Sequence, residues 1–130
     1  LLINEIAPRT HNSGHFSIEA CNSSQFDQQI CISTGMCPPD IKMNYAGSLM
    51  INLLGLKRTH PLDMEKRVEK LSKIKGGHIH WYGKTKETFG RKMGHITFLL
   101  EENNYEKRLD KANLIREEVS KIWPSPYELN

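Results

Sequence analysis

Between Glu5 and Asn12 the chain sets a carboxylate, a guanidinium, an imidazole and an amide close together, in Asn4-Glu5-Ile6-Ala7-Pro8-Arg9-Thr10-His11-Asn12-Ser13-Gly14-His15. Glu5 offers hard oxygen atoms of the kind Mg²⁺ takes alongside phosphate oxygens. Arg9 presents planar, paired donors suited to a carboxylate or a phosphate. His11 can transfer a proton or donate a hydrogen bond to a developing anion. The same residue types also fit a turn in which Arg9 pairs with Glu5 for structural reasons alone.

A second group lies in His80-Trp81-Tyr82-Gly83-Lys84-Thr85-Lys86 and Phe89-Gly90-Arg91-Lys92-Met93-Gly94-His95. Lys84, Arg91 and Lys92 concentrate cations in a glycine-containing loop, where backbone N–H groups can approach an oxyanion and seat a phosphate. Trp81 and Tyr82 add aromatic surface, with packing the favoured role for Trp81. A basic hairpin loop that is simply solvated is the competing reading.

Elements must hold these groups in place. Residues 1–6 read as a strand leading into a polar loop that runs to Gly14. Ser24 is expected to cap a helix reaching Thr34, with Asp27 as its capping partner and Phe26 and Ile30 on the inner face. Gly35 and Pro38-Pro39 end it. Ser48–Leu54 is an apolar run closed by Gly55 and predicts a buried strand. Pro61 suits the start of a helix whose apolar stripe is Met64, Val68, Leu71 and Ile74, stopped by Gly76-Gly77. Two strands follow, His78–Tyr82 and Gly94–Leu100. A final helix over Asn104–Ile122 shows Tyr105, Leu109, Ala112, Ile115, Val119 and Ile122 at three-to-four spacing. The expectation is an α+β fold with a seam near residues 36–42. The first part, about 36 residues, falls below the roughly 40 that fold unassisted.

The 130 residues carry a net charge of +3, too little to indicate a nucleic-acid partner. The distribution says more: residues 41–100 hold twelve basic and four acidic side chains, a net of +8. A solvated lysine-rich helix face between Met64 and Lys75 accounts for about half of that excess. Cys21, Cys31 and Cys37 are odd in number and lack metal-binding spacing, so a reducing, cytoplasmic setting is expected. No apolar run approaches the roughly 18 residues of a membrane span, and no signal peptide is expected. The opening in apparent mid-strand suggests a fragment or a processed chain.

The strings NEIAPRTHNSGH, SIEAC, SQFDQ, HIHWYGK and GRKMGHI resemble, in order, the C-terminal part of the 5-(carboxyamino)imidazole ribonucleotide synthase family of ATP-grasp ligases. The resemblance covers residues 2 to about 100. It implies that residues 1–36 end an ATP-grasp catalytic domain. Residues 37–130 would then form a small β-rich, rudimentary hybrid or barrel-like domain with added helices. It further implies MgATP-driven formation of carboxyphosphate from bicarbonate, then N-carboxylation of 5-aminoimidazole ribonucleotide, in a homodimer with small-molecule partners and neither nucleic acid nor membrane. Glu5 matches a Mg²⁺-binding glutamate, with Asn4 and Asn12 beside the nucleotide. Arg9 and His11 match the pair facing bicarbonate and carboxyphosphate. Lys84 and Arg91 match the cations on the ribonucleotide phosphate. Thr10 stands where the family pattern has proline, and Lys57–Lys75 is longer and more helical than the expected connector. Another ATP-grasp carboxylase or formate-dependent ligase would share Glu5 and Arg9 but lack the HWYGK and GRKMGH strings. A basic nucleic-acid-binding module would leave the Glu5–His11 cluster unexplained. The chain alone is expected to have no ligase activity.

Overall fold

The computed structural model describes residues 2–3, 5–56 and 63–127 and divides into two compact units, Leu1–Tyr45 and Ala46–Asn130. The fold is α+β, with helices in both units and a small antiparallel sheet in the second.

In the first unit a 3-10 turn, Asn12–Gly14, leads to a short helix α1 (Ser17–Ala20) and then to α2 (Gln25–Ser33). The expected cap is present in full. The Ser24 hydroxyl accepts from the Asp27 N–H, and the Asp27 carboxylate accepts from the Ser24 N–H and hydroxyl. Gly35, at φ 73°, ends the helix in a Schellman motif: Met36 N–H donates to Cys31 and Gly35 N–H to Ile32. Two expectations are corrected. Residues 2–3 and 5–6 form no strand, because no described residue pairs with them, and Leu2, Ile3 and Ile6 are exposed. The α2 face carrying Phe26 and Ile30 is not buried either. A unit this small has too little apolar surface to cover both sides of a helix. Phe26 instead stacks on His15, with ring centroids 5.6 Å apart.

Residues 37–45 stay with this unit, so the division between units lies some nine residues beyond the sequence-derived boundary at 36. The side chain of Asn22 donates to the Asp40 carbonyl and accepts from Lys42 N–H, and Cys21 bridges to Met43.

In the second unit β1 (Gly47–Leu54), β2 (Gly77–Trp81) and β3 (Lys92–Leu100) form a sheet of order β1-β3-β2. Both outer strands run antiparallel to β3, so β1, α3 (Met64–Ser72) and β2 make a split β-α-β unit with β3 inserted. Pro61, expected to open α3, lies outside the described residues; the cap is Asp63, whose carboxylate accepts from Lys66 N–H at 2.8 Å. One face of the sheet, with Leu53, Ile96 and Phe98, meets Leu71 and Ile74 of the α3 segment. Ile115 and Val119 of α4 (Tyr105–Ile122), with Trp123 beyond it, complete that core. Burying each such side chain contributes about 1.5–3 kcal/mol. The first half of the α4 stripe does not reach the core: Tyr105 and Leu109 are exposed.

The α3 face is solvated at Lys66, Lys70 and Lys73, as its composition suggests, but Arg67 is only 1% exposed. Its guanidinium ion-pairs with Glu87 and lies 4.0 Å from the centre of the Trp123 ring. The Trp123 indole in turn donates to the Leu54 carbonyl at 2.7 Å, at a bulge ending β1.

Gly55 follows that bulge, and a Cβ there would overlap the Thr88 carbonyl. Gly55→Ala should therefore destabilise the second unit by about 1–3 kcal/mol through overpacking, read as a lower urea midpoint with an unchanged slope. An unchanged midpoint would contradict this close approach.

Candidate functional site

In the first unit the loop after Glu5 is shaped by Gln25, the first residue of α2. The Gln25 side-chain oxygen accepts from the His11 N–H at 2.8 Å, and its amide nitrogen donates to the His11 carbonyl at 2.9 Å. The same nitrogen lies 2.7 Å from Nδ1 of His15. A side chain at Gly14 would collide with this amide, which explains glycine there. Ser17 completes the scaffold: its hydroxyl donates to the Gly14 carbonyl and accepts from Gln25 N–H. Sequence reading missed Gln25, because nothing in its type or spacing distinguishes a clamp from an ordinary first-turn residue.

The His11 ring is oriented from both ends. Nδ1 accepts from Ser13 N–H at 3.3 Å and sits 2.8 Å from the Ser13 hydroxyl, while Nε2 faces the Glu5 carboxylate at 3.2 Å. Because a backbone N–H can only donate, Nδ1 is an acceptor in this network, which assigns the proton to Nε2. Glu5 thus pairs with His11 and not with Arg9. Among the described residues the Arg9 guanidinium donates to the carbonyl of neighbouring Thr10 and forms no ion pair. The Arg9 side chain is exposed, as an anion-binding group would need. Asn12 places its side-chain oxygen in a buried position without a hydrogen-bond partner. Asn4 lies outside the described residues.

No group of three or more His, Cys, Asp or Glu side chains among the described residues could enclose a metal ion. Glu5 is nevertheless an exposed hard oxygen donor. A single carboxylate fits Mg²⁺, which uses few protein ligands and fills its shell with water and phosphate oxygens.

The second candidate group lies in the connection between β2 and β3. Its frame is unusually well tied down. Gly90 N–H donates to the Gly55 carbonyl at 2.9 Å, and Gly55 N–H donates to the Arg91 carbonyl at 2.8 Å. Arg91 N–H closes a turn onto Thr88, with Gly90 at φ 71°. At the other end Tyr82 N–H extends the strand pairing to the Met93 carbonyl. Lys84 reaches across to the Lys92 carbonyl, and its ammonium lies 5.4 Å from the centre of the Tyr82 ring. The Arg91 side chain is exposed. Trp81 packs edge-on against Trp123 at 5.8 Å and joins the margin of the core.

Below the loop, Tyr82 bonds through its hydroxyl to Nδ1 of His95 at 2.8 Å, and the His95 ring stacks on His80 at 4.6 Å. Burial raises the Tyr82 phenol above its ordinary value.

Both groups fall inside family matches. Residues 1–26 match the ATP-grasp domain, and residues 48–108 match the phosphoribosylaminoimidazole carboxylase C-terminal domain. The N5-carboxyaminoimidazole ribonucleotide synthase of Synechococcus elongatus is 40% identical over 126 residues, 97% of this chain and 32% of that protein. In sequence and fold the chain corresponds to the C-terminal portion of that synthase family. The Staphylococcus aureus N5-carboxyaminoimidazole synthetase superposes with a TM-score of 0.67 at 37% identity, covering 92% of this chain and 29% of that one. The Aspergillus clavatus synthase, solved with ADP and 5-aminoimidazole ribonucleotide, gives 0.74 at 30% identity, covering 92% and 30%. The chain spans about a third of the length of the curated relatives it matches. Glu5, Arg9, His11 and Asn12 lie in the ATP-grasp match, and Lys84 and Arg91 in the carboxylase C-terminal match. α2 beyond Phe26 and α4 beyond Arg108 lie outside both family models.

The Tyr82 shift sets a pH limit. A pKa raised on folding contributes stability that is present below the ordinary value of 10.0 and lost as pH rises through the folded value. A phenolate titrating later than the other tyrosines should therefore be seen by ultraviolet absorbance, and Tyr82→Phe should remove that late step. Four tyrosines are present; if the late step survives in Tyr82→Phe, the assignment is wrong.

Proposed function

We propose that the whole protein carrying this chain is an ATP-grasp carbon–nitrogen ligase that N-carboxylates 5-aminoimidazole ribonucleotide with ATP and bicarbonate, through carboxyphosphate, in purine biosynthesis. The observation that carries this reading is the pairing of two matches in one chain. An ATP-grasp segment holds Glu5, Arg9 and His11, and a carboxylase C-terminal segment holds Lys84 and Arg91. In the whole protein residues 1–36 complete the ATP-grasp domain, 37–45 form a connector packed back on it, and the remainder forms the following domain. The exposed Leu2, Ile3 and Ile6 suit a strand whose sheet neighbours belong to the rest of that domain.

The chemistry assigned to each residue follows from its type and setting. Glu5 would hold Mg²⁺, with Asn4 and Asn12 beside the nucleotide; the ion, when bound, would neutralise phosphate oxygens during phosphoryl transfer. Arg9, exposed and in no ion pair among the described residues, binds bicarbonate and the anionic intermediate formed from it. His11, held by Ser13 and Gln25, donates to the same anion through the Nε2–H that faces Glu5 in this structure, once the Glu5 carboxylate is engaged by the metal. Lys84 and Arg91 grip the ribonucleotide's phosphate, a dianion that favours paired cations.

A cytoplasmic homodimer completes the proposal. The three cysteines are free, which suits a reducing compartment, and no helix among the described residues is long and apolar enough to cross a membrane.

In the intact synthase, Lys84→Ala and Arg91→Ala should each raise KM for the ribonucleotide about 10–100-fold, the loss of one charged hydrogen bond. Arg9→Ala should instead lower kcat at saturating substrates by about 10²–10³. An identical kinetic defect from all three would refute the division of roles. The 130-residue chain alone should show no bicarbonate- and ribonucleotide-dependent ADP release; finding it would overturn the assignment of the remaining ATP site to the rest of the protein.

A further inference from the structure

Lys84 and Arg91 stand on opposite arms of the β2–β3 connection, so their spacing depends on what fixes the backbone between them. Glu87, between the two, performs that task. One carboxylate oxygen accepts from Leu56 N–H at 2.7 Å, and the other pairs with the buried Arg67 guanidinium. Arg67 is itself immobilised on the face of Trp123, 4.0 Å from the ring centre. With the Gly55 bonds to Gly90 and Arg91, the loop is anchored in its middle and at its C-terminal arm. Gly83, by contrast, has φ 67° and open space around its Cβ position. Once the Glu87 anchor is gone, the Lys84 arm keeps the contacts of its own ammonium with the Lys92 carbonyl and the Tyr82 ring, for which a bound phosphate competes.

We infer that Arg67 and Glu87 are positioning residues for phosphate recognition: the buried ion pair sets the separation of Lys84 and Arg91 without touching the ligand. This rests on the reading of Lys84 and Arg91 as the ribonucleotide's phosphate contacts. Two cations held at a fixed spacing bind a dianion as one unit, whereas cations on a loosened loop must be ordered at each binding event. The consequence falls on ground-state binding of one substrate, because ATP and bicarbonate are handled by a different segment.

The test uses the intact synthase and steady-state kinetics with each substrate varied in turn. Glu87→Gln removes the charge pairing. Because it leaves Arg67 buried without a counter-charge and can impair folding, the double variant Arg67→Met/Glu87→Met accompanies it. Buried ion pairs replaced on both sides by apolar groups of similar size commonly leave a fold intact. Thermal melts confirm that the kinetics report folded protein.

Folded double variant should show KM for the ribonucleotide raised about tenfold, with KM for ATP and kcat at saturation within about twofold of wild type. A merely structural role would lower the active fraction, reducing kcat while leaving every KM unchanged, and that outcome overturns the inference. Lys84→Ala and Arg91→Ala, measured alongside, separate the two levels of the argument. If they raise the ribonucleotide KM and the folded double variant does not, the positioning role is wrong and the phosphate reading stands. If neither raises it, both fall together.

Discussion

A single buried guanidinium organises the second unit. Arg67 comes from α3, its ion partner Glu87 from the β2–β3 connection, and its aromatic partner Trp123 from the end of α4. Trp123 continues the chain of contacts to the Leu54 carbonyl, and Glu87 to the Leu56 N–H. Four separate segments are thus tied through one side chain. The arrangement is costly to disturb: removing one member of a buried pair typically destabilises by about 3–5 kcal/mol, against a total of about 5–15 kcal/mol for a domain. Two of the guanidinium nitrogens, Nε and Nη1, have no hydrogen-bond partner among the described residues. The Trp123 face offsets part of that loss by a desolvated cation–π contact.

The use of an ion pair in this position fits the geometry of a three-stranded sheet. Its core is thin, and the segments leaving it at Leu54, Trp81 and Trp123 end near one margin where apolar groups alone give little directional control. An Arg–Glu pair supplies direction, and close-packed glycine supplies proximity. Gly55 brings two backbones so near that its own N–H and C=O bond Arg91 and Gly90. The first unit solves a similar problem with neutral groups. There Gln25 clamps the backbone of His11, and Gly14 leaves space for its amide.

Much of this was legible in the sequence where local physics decides. The Ser24–Asp27 capping box, the Gly35 stop, the three strands of the sheet and the α4 span follow from caps, glycines and periodicity. The strand expected over residues 1–6 is not formed at residues 2–3 and 5–6, because a strand is defined by its neighbours and apolar residues alone cannot supply them. Phe26 and Ile30 failed for a related reason, since periodicity marks a face but not what covers it. Chemistry-bearing types identified both loops, yet their supports went unseen. Arg67 was counted among solvated charges although it falls three residues after Met64 and four before Leu71, squarely on the buried stripe. Gln25 had no such signal, because its role depends on a loop ten and more residues away.

The concentration of positive charge between residues 41 and 100 also takes a different meaning once its members are placed. Lys66, Lys70 and Lys73 are a solvated helix face, two of them partnered locally with Asp63 and Glu69. Arg67 is spent internally on Glu87. Exposed surface lysines of this kind hold little free energy in their pairs, and they carry no fixed geometry for a ligand. Lys84 and Arg91 differ in kind rather than in number. Their side chains rise from a loop whose backbone is fixed by hydrogen bonds at Tyr82, Glu87, Gly90 and Arg91. A net charge attracts anions from a distance but does not choose among them. Under the proposed phosphate role of Lys84 and Arg91, selectivity for one ester depends on that backbone, which Glu87 and the buried arginine behind it hold in place.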